Sequence, residues 1–263
     1  MYMNNSKEVF QDVYRRVKRE GKEVSPRGMK IIEVENFNYE LPAYVRFTNF
    51  KARKLNVDYI KKEFLWYLKG DRNDLSITKH AKIWIGCIEN NAINSNYGQY
   101  IFTGGQFDKV IQVLKADKDS RRASIVILNQ FNLLTATKDV PCTYSMNFRI
   151  RDNKLNMSVH MRSQDAIYGM SNDAPAFSFV HEMVLKTLQI YYPELEMGSY
   201  HHIADSFHVY ERHFEMLERL QDDEYTEVEC PKISSWKEVG YLIAKNTPIA
   251  ECTDFKFNEW LNS

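Results

Sequence analysis

Cysteine is scarce in this 263-residue chain, and the four present (Cys87, Cys142, Cys230 and Cys252) stand far apart with no CxxC pair. That spacing argues against a disulfide framework or a zinc site and fits a reducing, cytoplasmic setting. Net charge is missing as well, because 35 Lys plus Arg offset 35 Asp plus Glu. Without a global basic field the chain is not expected to hold a nucleic-acid polymer, and an anionic ligand must be met by a local arginine cluster. A small phosphate ester suits such a cluster better than DNA. No apolar run approaches the roughly 18 residues of a membrane span. The opening MYMNNSKEVFQDVYRRVKRE reads as a polar amphipathic helix and not as a signal peptide. HExxH and P-loop patterns are absent, and the two histidines of HVYERH share no helical face, so no metal is expected.

What is present is apolar and aromatic material, 44% and 13% of the chain, enough for a substantial core. No linker, repeat or low-complexity tract interrupts it, so a single domain over residues 1–263 is expected. The pattern predicts helix to about Glu20, a loop through GKEVSPRG, and extended segments in MKIIEVENF and AYVRFTNF. VDYIKKEFLWYLKG reads as a helix stopped by Gly70, and residues 106–117 as another. SIVILN, TYSMNFRIRDNKLNMSVHMRS and SFHVY read as strands, with a hairpin turn at Asp152-Asn153. PAFSFVHEMVLKTLQIYY reads as a long apolar helix, and the last forty or so residues as irregular chain. The mixture predicts an α+β domain, a large sheet with helices against one face.

Several side chains could carry chemistry, and each also has a plainer reading. Cys142 follows Pro141 at the start of a strand-like run; it is either a small buried hydrophobe or a nucleophile. Arg121-Arg122 and Arg162-Ser163 sit at strand edges, where cations could lower a thiol pKa and grip a phosphate in bidentate fashion. A solvated turn is the alternative for the first pair. MRSQDAIYGMSNDAPAF packs Arg162, Ser163, Asp165, Asn172 and Asp173 into a strand-to-helix junction, a place for ligand groups or simply for a helix cap. His208 and Tyr210, two apart in a strand, face one side together and could address one hydroxyl, or be structural. Glu63 lies among Leu65 and Trp66 on a helix, where a carboxyl keeps its proton to high pH unless that face is solvated.

Taken in order, these segments resemble the thymidylate synthase family across most of the chain. EFLWYLKGDRN is similar to its glutamate-bearing segment, KIWIGC and NSNYGQY to its tryptophan and tyrosine stretches. DSRR, the Pro-Cys pair, MRSQD followed by Asp173, and FHVYERH are similar to the remaining signatures. The resemblance implies a fold with a large mixed sheet that forms a homodimer interface, helices packed on its other face. It further implies 5,10-methylenetetrahydrofolate as co-substrate and a pyrimidine nucleoside monophosphate as acceptor. Cys142 would attack C6 of the ring; Arg27, Arg162 and Ser163 would hold the phosphate, with Arg121 and Arg122 donated across the dimer. His208 and Tyr210 would bind the sugar 3′-hydroxyl. Ile83, Trp84, Asp165 and Gly169 would line the folate site, and Glu63 and Tyr97 would move protons around C5.

Departures from the synthase pattern narrow the expectation. Asp173 replaces an asparagine amide that reads uracil, and a carboxyl holding a proton can donate to cytosine N3 while accepting from the 4-amino group. Thr143 stands where the synthases have His, Met161 where they have Gln, Asn172 where they have Phe, and Cys87 where they have a second Trp. The chain ends FNEWLNS and not in an apolar tail. This set is similar to the family's deoxycytidylate-hydroxymethylating branch and implies dCMP 5-hydroxymethylation. The alternatives are hydroxymethylation of CMP, methylation of dUMP, and a non-catalytic binding role.

Overall fold

The computed structural model describes residues 5–136, 138–244 and 255–263; Cys252 lies outside them. The helices are α1 (Ser6–Glu20), α2 (Val57–Lys69), α3 (Ile83–Cys87), α4 (Gln106–Ala116), α5 (Gln130–Thr135), α6 (Gly169–Leu188), α7 (Phe214–Leu220), α8 (Trp236–Ile243) and α9 (Lys256–Asn262). The strands are β1 (Lys22–Val24), β2 (Ile31–Leu41), β3 (Ser124–Val126), β4 (Thr143–Arg151), β5 (Lys154–Met161), β6 (Gln164–Asp165) and β7 (Glu196–Tyr210). Local chemistry explains the ends of several. Asn5 caps α1 by accepting the N–H of Glu8, Asn56 caps α2 by accepting that of Tyr59, and Gly70 closes α2 in the left-handed region.

Among the described residues, the seven strands join one sheet in the order β1-β2-β7-β5-β4-β3, with β6 added alongside β7. The β5–β7 and β6–β7 pairings are parallel and the rest antiparallel, so the sheet is mixed, as the family resemblance implies. Asp152 and Asn153 both adopt positive φ, 50° and 56°, in the β4–β5 turn. Short polar side chains tolerate that conformation in a two-residue hairpin. On β4, buried Met146, Phe148 and Ile150 alternate with part-exposed Ser145, Asn147 and Arg149. One sheet face therefore enters the core, where α6 lies buried along most of its length. The other face is polar and open, carrying a His160–Asp205 pair at 2.6 Å. Among the described residues no helix is long and apolar enough to cross a membrane.

Four local expectations differ from the structure. AYVRFTNF is not a strand; residues 43–50 run irregularly, with one isolated bridge from Phe50 to Tyr225. Phe47 and Phe50 are buried, but β1 and β7 already flank β2, and Arg46 turns to Glu182 on α6 instead. The GKEVSPRG loop contains β1 and a 3-10 turn at Pro26–Gly28. Only Ser124–Val126 of SIVILN is ladder-paired, although the N–H groups of Ile127 and Leu128 still reach the carbonyls of Tyr144 and Thr143. The chain end holds α8 and α9, of 8 and 7 residues, which bury Val239, Leu242, Phe257 and Leu261. Helices of two turns carry too little periodicity to be read from sequence.

Candidate active site

Cys142 sits immediately before β4 and Arg162 immediately after β5, so the antiparallel register that pairs Thr143 with Met161 brings them side by side. The Arg162 N–H donates to the Cys142 carbonyl at 2.8 Å, and its Nη2 donates to Cys142 Sγ at 3.5 Å. The same guanidinium donates to the carbonyls of Pro141 and Val140 at 3.1 and 2.7 Å, which locks its position over the thiol. Charge alone would lower the thiol pKa. Burial wins: it pushes the Cys142 thiol up, against the pull of Arg162 and Arg27, and the carboxylates of Asp173 and Asp139 push the same way. The expected net lowering is therefore corrected, because desolvation outweighs the nearby cations.

Two acids face one another, Asp173 also reaching the thiol through its charge, and among the described residues neither makes a salt bridge. Glu63, 4% exposed on α2, is pushed up to about 8 by burial and then by the charge of Asp173. The Tyr59 hydroxyl donates to Glu63 Oε1 at 2.7 Å and offsets a little of that rise. Asp173, just past the first turn of α6, is pushed up to about 7 by burial, with Asp165 adding to the effect. Gln164 Nε2 donates to Asp173 Oδ2 at 3.2 Å and works against it. Neither Asn172 nor Asp173 caps α6, whose N-cap is Tyr168; the capping reading is set aside. At neutral pH both acids hold protons for much of the time, which a solvated carboxyl does not.

The other predicted residues fall around this cluster unevenly. Tyr97 is buried, stacks on Tyr67 with ring centres 5.5 Å apart, and feels the charges of Cys142 and Asp173. Its approach needs Gly98, since a Cβ there would lie 1.6 Å from the Tyr67 carbonyl oxygen. His208 and Tyr210 meet edge to face at 4.9 Å on β7, and burial lowers the His208 pKa. Arg27 occupies the turn before β2 with φ 53°, and its charge reaches both Cys142 and Tyr210. Asp165 accepts the N–H groups of Ile167 and Tyr168 at 3.0 and 3.3 Å, which holds the junction into α6. Gly169 opens α6 beside Asp165, and Ser163 is half-buried between Arg162 and β6. Trp84 Nε1 donates to the Tyr59 hydroxyl at 2.8 Å, so the α3 tryptophan is tied to Glu63 through one tyrosine. Ile83 on the same helix is 73% exposed. Cys87 at its end is close enough to Cys142 and Asp139 for their charges to help burial push its thiol up to about 11. Arg121 and Arg122 are exposed in the turn before β3.

Sequence reasoning missed Tyr59, Asp139, Gln164 and Tyr39. Tyr59 was legible: it lies one helical turn before Glu63, the spacing at which side chains meet. Asp139 is 5% exposed, accepts the Ser95 N–H at 2.8 Å, and has its pKa raised by burial. Gln164 accepts the Tyr39 hydroxyl at 3.3 Å across 125 residues of sequence, a contact that no local pattern signals.

An α+β sheet that sets a half-buried thiol against an arginine, within electrostatic reach of an aspartic acid of raised pKa that in turn acts on a glutamic acid of raised pKa, defines a protein equipped for chemistry on a small ligand. The chain belongs to the thymidylate synthase family, whose model matches residues 2–257. It is 31% identical over 222 residues to the deoxyuridylate hydroxymethyltransferase of Bacillus phage SP01, covering 77% of this chain and 56% of that protein. It therefore spans little more than half the length of that relative. It is 30% identical over 206 residues to the deoxycytidylate 5-hydroxymethyltransferase of Enterobacteria phage T6, covering 74% and 82% of the two chains. To the thymidylate synthase of Clostridium beijerinckii it is 25% identical over 230 residues, covering 86% and 84%.

Proposed function

We propose that this chain transfers a one-carbon unit from 5,10-methylenetetrahydrofolate to C5 of dCMP, giving 5-hydroxymethyl-dCMP and tetrahydrofolate. One observation carries the reading: the Asp173 carboxyl, held by Gln164 and facing Glu63, is pushed up to about 7. A carboxyl with a proton donates to N3 of cytosine and accepts from its 4-amino group, whereas uracil presents the opposite pattern at both atoms. A bidentate contact of this kind discriminates between bases by about 1–3 kcal/mol. It also serves the chemistry. When Cys142 adds to C6, electron density moves toward N3, and a proton waiting there neutralises it.

C5 of the adduct attacks the folate methylene, loses its own proton, and expels tetrahydrofolate, leaving an exocyclic methylene on C5. Water then adds to that methylene and Cys142 is released from C6. Glu63, with Tyr59 and Tyr97, manages the protons on this face. Arg27, Arg162 and Ser163 hold the phosphate, Arg121 and Arg122 are supplied across a homodimer, and His208 and Tyr210 take the 3′-hydroxyl. Ile83, Trp84, Asp165 and Gly169 line the folate side. The compartment is cytoplasmic.

A second reading has a specific observation behind it. The SP01 relative is named for deoxyuridylate, so a hydroxymethylase of dUMP fits the overall similarity equally well. A panel of dCMP, CMP, dUMP and UMP, with the folate product identified by absorbance, tests both. We expect dCMP to be preferred with no dihydrofolate formed. Preference for dUMP would remove the role given to Asp173, preference for CMP would change the sugar, and dihydrofolate would replace water by hydride in the last step. Asp173→Asn should shift the preference toward dUMP.

A further inference from the structure

We propose that Gln164 is a positioning residue that decides which oxygen of Asp173 carries the proton, and thereby sets the base preference of the site. The inference rests on the reading of Asp173 given above. Gln164 is 2% exposed on the two-residue strand β6, where it pairs with Phe207 of β7. Its Nε2 donates to Asp173 Oδ2 at 3.2 Å, and its Oε1 accepts the Tyr39 hydroxyl at 3.3 Å. Tyr39 is itself held: its ring stacks on His202 at 4.7 Å with the planes 8° apart, and His202 Nδ1 meets the Tyr200 hydroxyl at 2.6 Å. A buried row thus runs from β7 through β2 to β6 and ends on the carboxyl of α6.

The consequence follows from donor and acceptor bookkeeping. The carbonyl-type oxygen of a protonated carboxyl accepts an N–H far better than its hydroxyl oxygen does. Gln164 thus favours Oδ2 as the acceptor oxygen of Asp173 and the proton on Oδ1. With that orientation Oδ1 donates to cytosine N3 and Oδ2 accepts from the 4-amino group. Because donation to a carboxylate also favours its charged form, Gln164 holds the carboxyl lower than burial alone would.

Other titratable groups face Asp173 from each packed element. Glu63 on α2, Asp165 on β6 and the Cys142 thiol before β4 interact with it electrostatically. The hydroxyls of Tyr39, Tyr59, Tyr67, Tyr97 and Tyr200 also lie within reach of its charge, and burial keeps each of them neutral.

The experiment measures dCMP and dUMP affinity and kcat/KM from pH 5.5 to 9 in the full chain, Gln164→Met and Tyr39→Phe. Wild type should lose dCMP affinity as pH rises through about 7, where the Asp173 proton leaves. In Gln164→Met that loss should move to higher pH, while the dCMP over dUMP ratio falls about tenfold. Tyr39→Phe should move both readouts in the same direction by about threefold or less. If Gln164→Met melts early, Tyr39→Phe carries the test, because Gln164 remains but its orientation is no longer fixed. A purely structural role would lower both substrates alike and leave the pH limb where it was. A limb that stays or moves to lower pH in both variants overturns the inference. Wild-type preference for dUMP would instead overturn the reading of Asp173 and this inference with it.

Discussion

Two acidic neighbourhoods are built on the same helix and satisfied in opposite ways. Glu182, fully buried midway along α6, receives the Arg46 guanidinium at 2.9 Å and the Ile233 N–H at 2.9 Å. Its charge is committed to tying α6 to the 43–50 segment and to the chain before α8. Asp173 at the start of that helix, and Glu63 facing it from α2, receive an amide and a tyrosine hydroxyl. Among the described residues neither makes a salt bridge. A buried carboxyl facing a cation is held in place as half of an ion pair; at Glu63 and Asp173 burial outweighs the single neutral donor that each receives, and the proton is kept to higher pH. The same contrast separates two thiols. Cys230, beside the Arg46–Glu182 pair, is pushed up to about 12 mainly by burial. Cys142 is half-buried, and both thiols meet a guanidinium; but the Arg46 that reaches Cys230 is committed to Glu182, whereas Arg162 beside Cys142 makes no ion pair among the described residues.

The sharpest break of this comparison is to remove each thiol. Cys142→Ala should lower tritium release from [5-³H]dCMP by at least about 10⁴-fold, the scale seen when a covalent nucleophile is lost. Cys230→Ala should leave the rate within about twofold. Equal losses from both would mean that the pocket, not the nucleophile, had been disturbed.

Exchanging the acids tests the contrast next. Glu63→Gln should cut kcat by about 10²–10⁴-fold, the range for a positioned proton-transfer group, without lowering the melting temperature at neutral pH. Arg46→Ala should do the reverse. It strands Glu182 as an uncompensated buried charge, costs about 3–5 kcal/mol in chemical denaturation, and leaves kcat of the folded fraction nearly unchanged.

How much of this was legible beforehand depended on the range of the contact. Glu63 could be singled out because its apolar neighbours Leu65 and Trp66 lie on its own helix; the tyrosine four residues back was there to be read and was not. The hairpin at Asp152-Asn153 announced itself through turn chemistry, and the α2 stop through Gly70. AYVRFTNF failed because strand propensity says nothing about whether a neighbouring strand has a free edge. The true extent of β7, 15 residues where only SFHVY stood out, was hidden by a polar open face. The Arg46–Glu182 pair and the Gln164 row were invisible, since nothing local marks side chains that meet across more than 100 residues. The site's distinction between structural and proton-bearing acids is therefore a tertiary property.

Folding stability offers a gentler probe of the same distinction. An acid whose folded pKa exceeds its unfolded value binds more protons when folded, so folding weakens as pH rises between the two. For Glu63 the window runs from 4.5 to about 8, and for Asp173 from 3.8 to about 7. The contribution is fully present at the acid end of each window and lost at the alkaline end, on the order of 5 kcal/mol for Glu63. Glu63→Gln should therefore gain stability relative to wild type from pH 5 to pH 8 in urea titrations. A constant difference would mean that Glu63 ionises freely in the folded protein.

The smallest effect sought is the one that tests whether Glu63 is tuned or merely buried. Tyr59→Phe removes the hydroxyl that donates to Glu63 and accepts from the Trp84 indole. The tyrosine bond favours the charged carboxylate, so without it the Glu63 limb of the pH–rate profile should move to higher pH. A net hydrogen bond of about 0.5–1.5 kcal/mol corresponds to roughly a twofold to tenfold change in kcat. The stranded indole adds a separate cost, expected in KM for the folate because Trp84 sits on that side in the proposed arrangement. Trp84→Phe in the Tyr59→Phe background isolates it: the pH limb should stay put while only KM moves. If the limb moves with Trp84 as well, the tryptophan and the acid form one unit, and the separation drawn between folate lining and proton transfer fails.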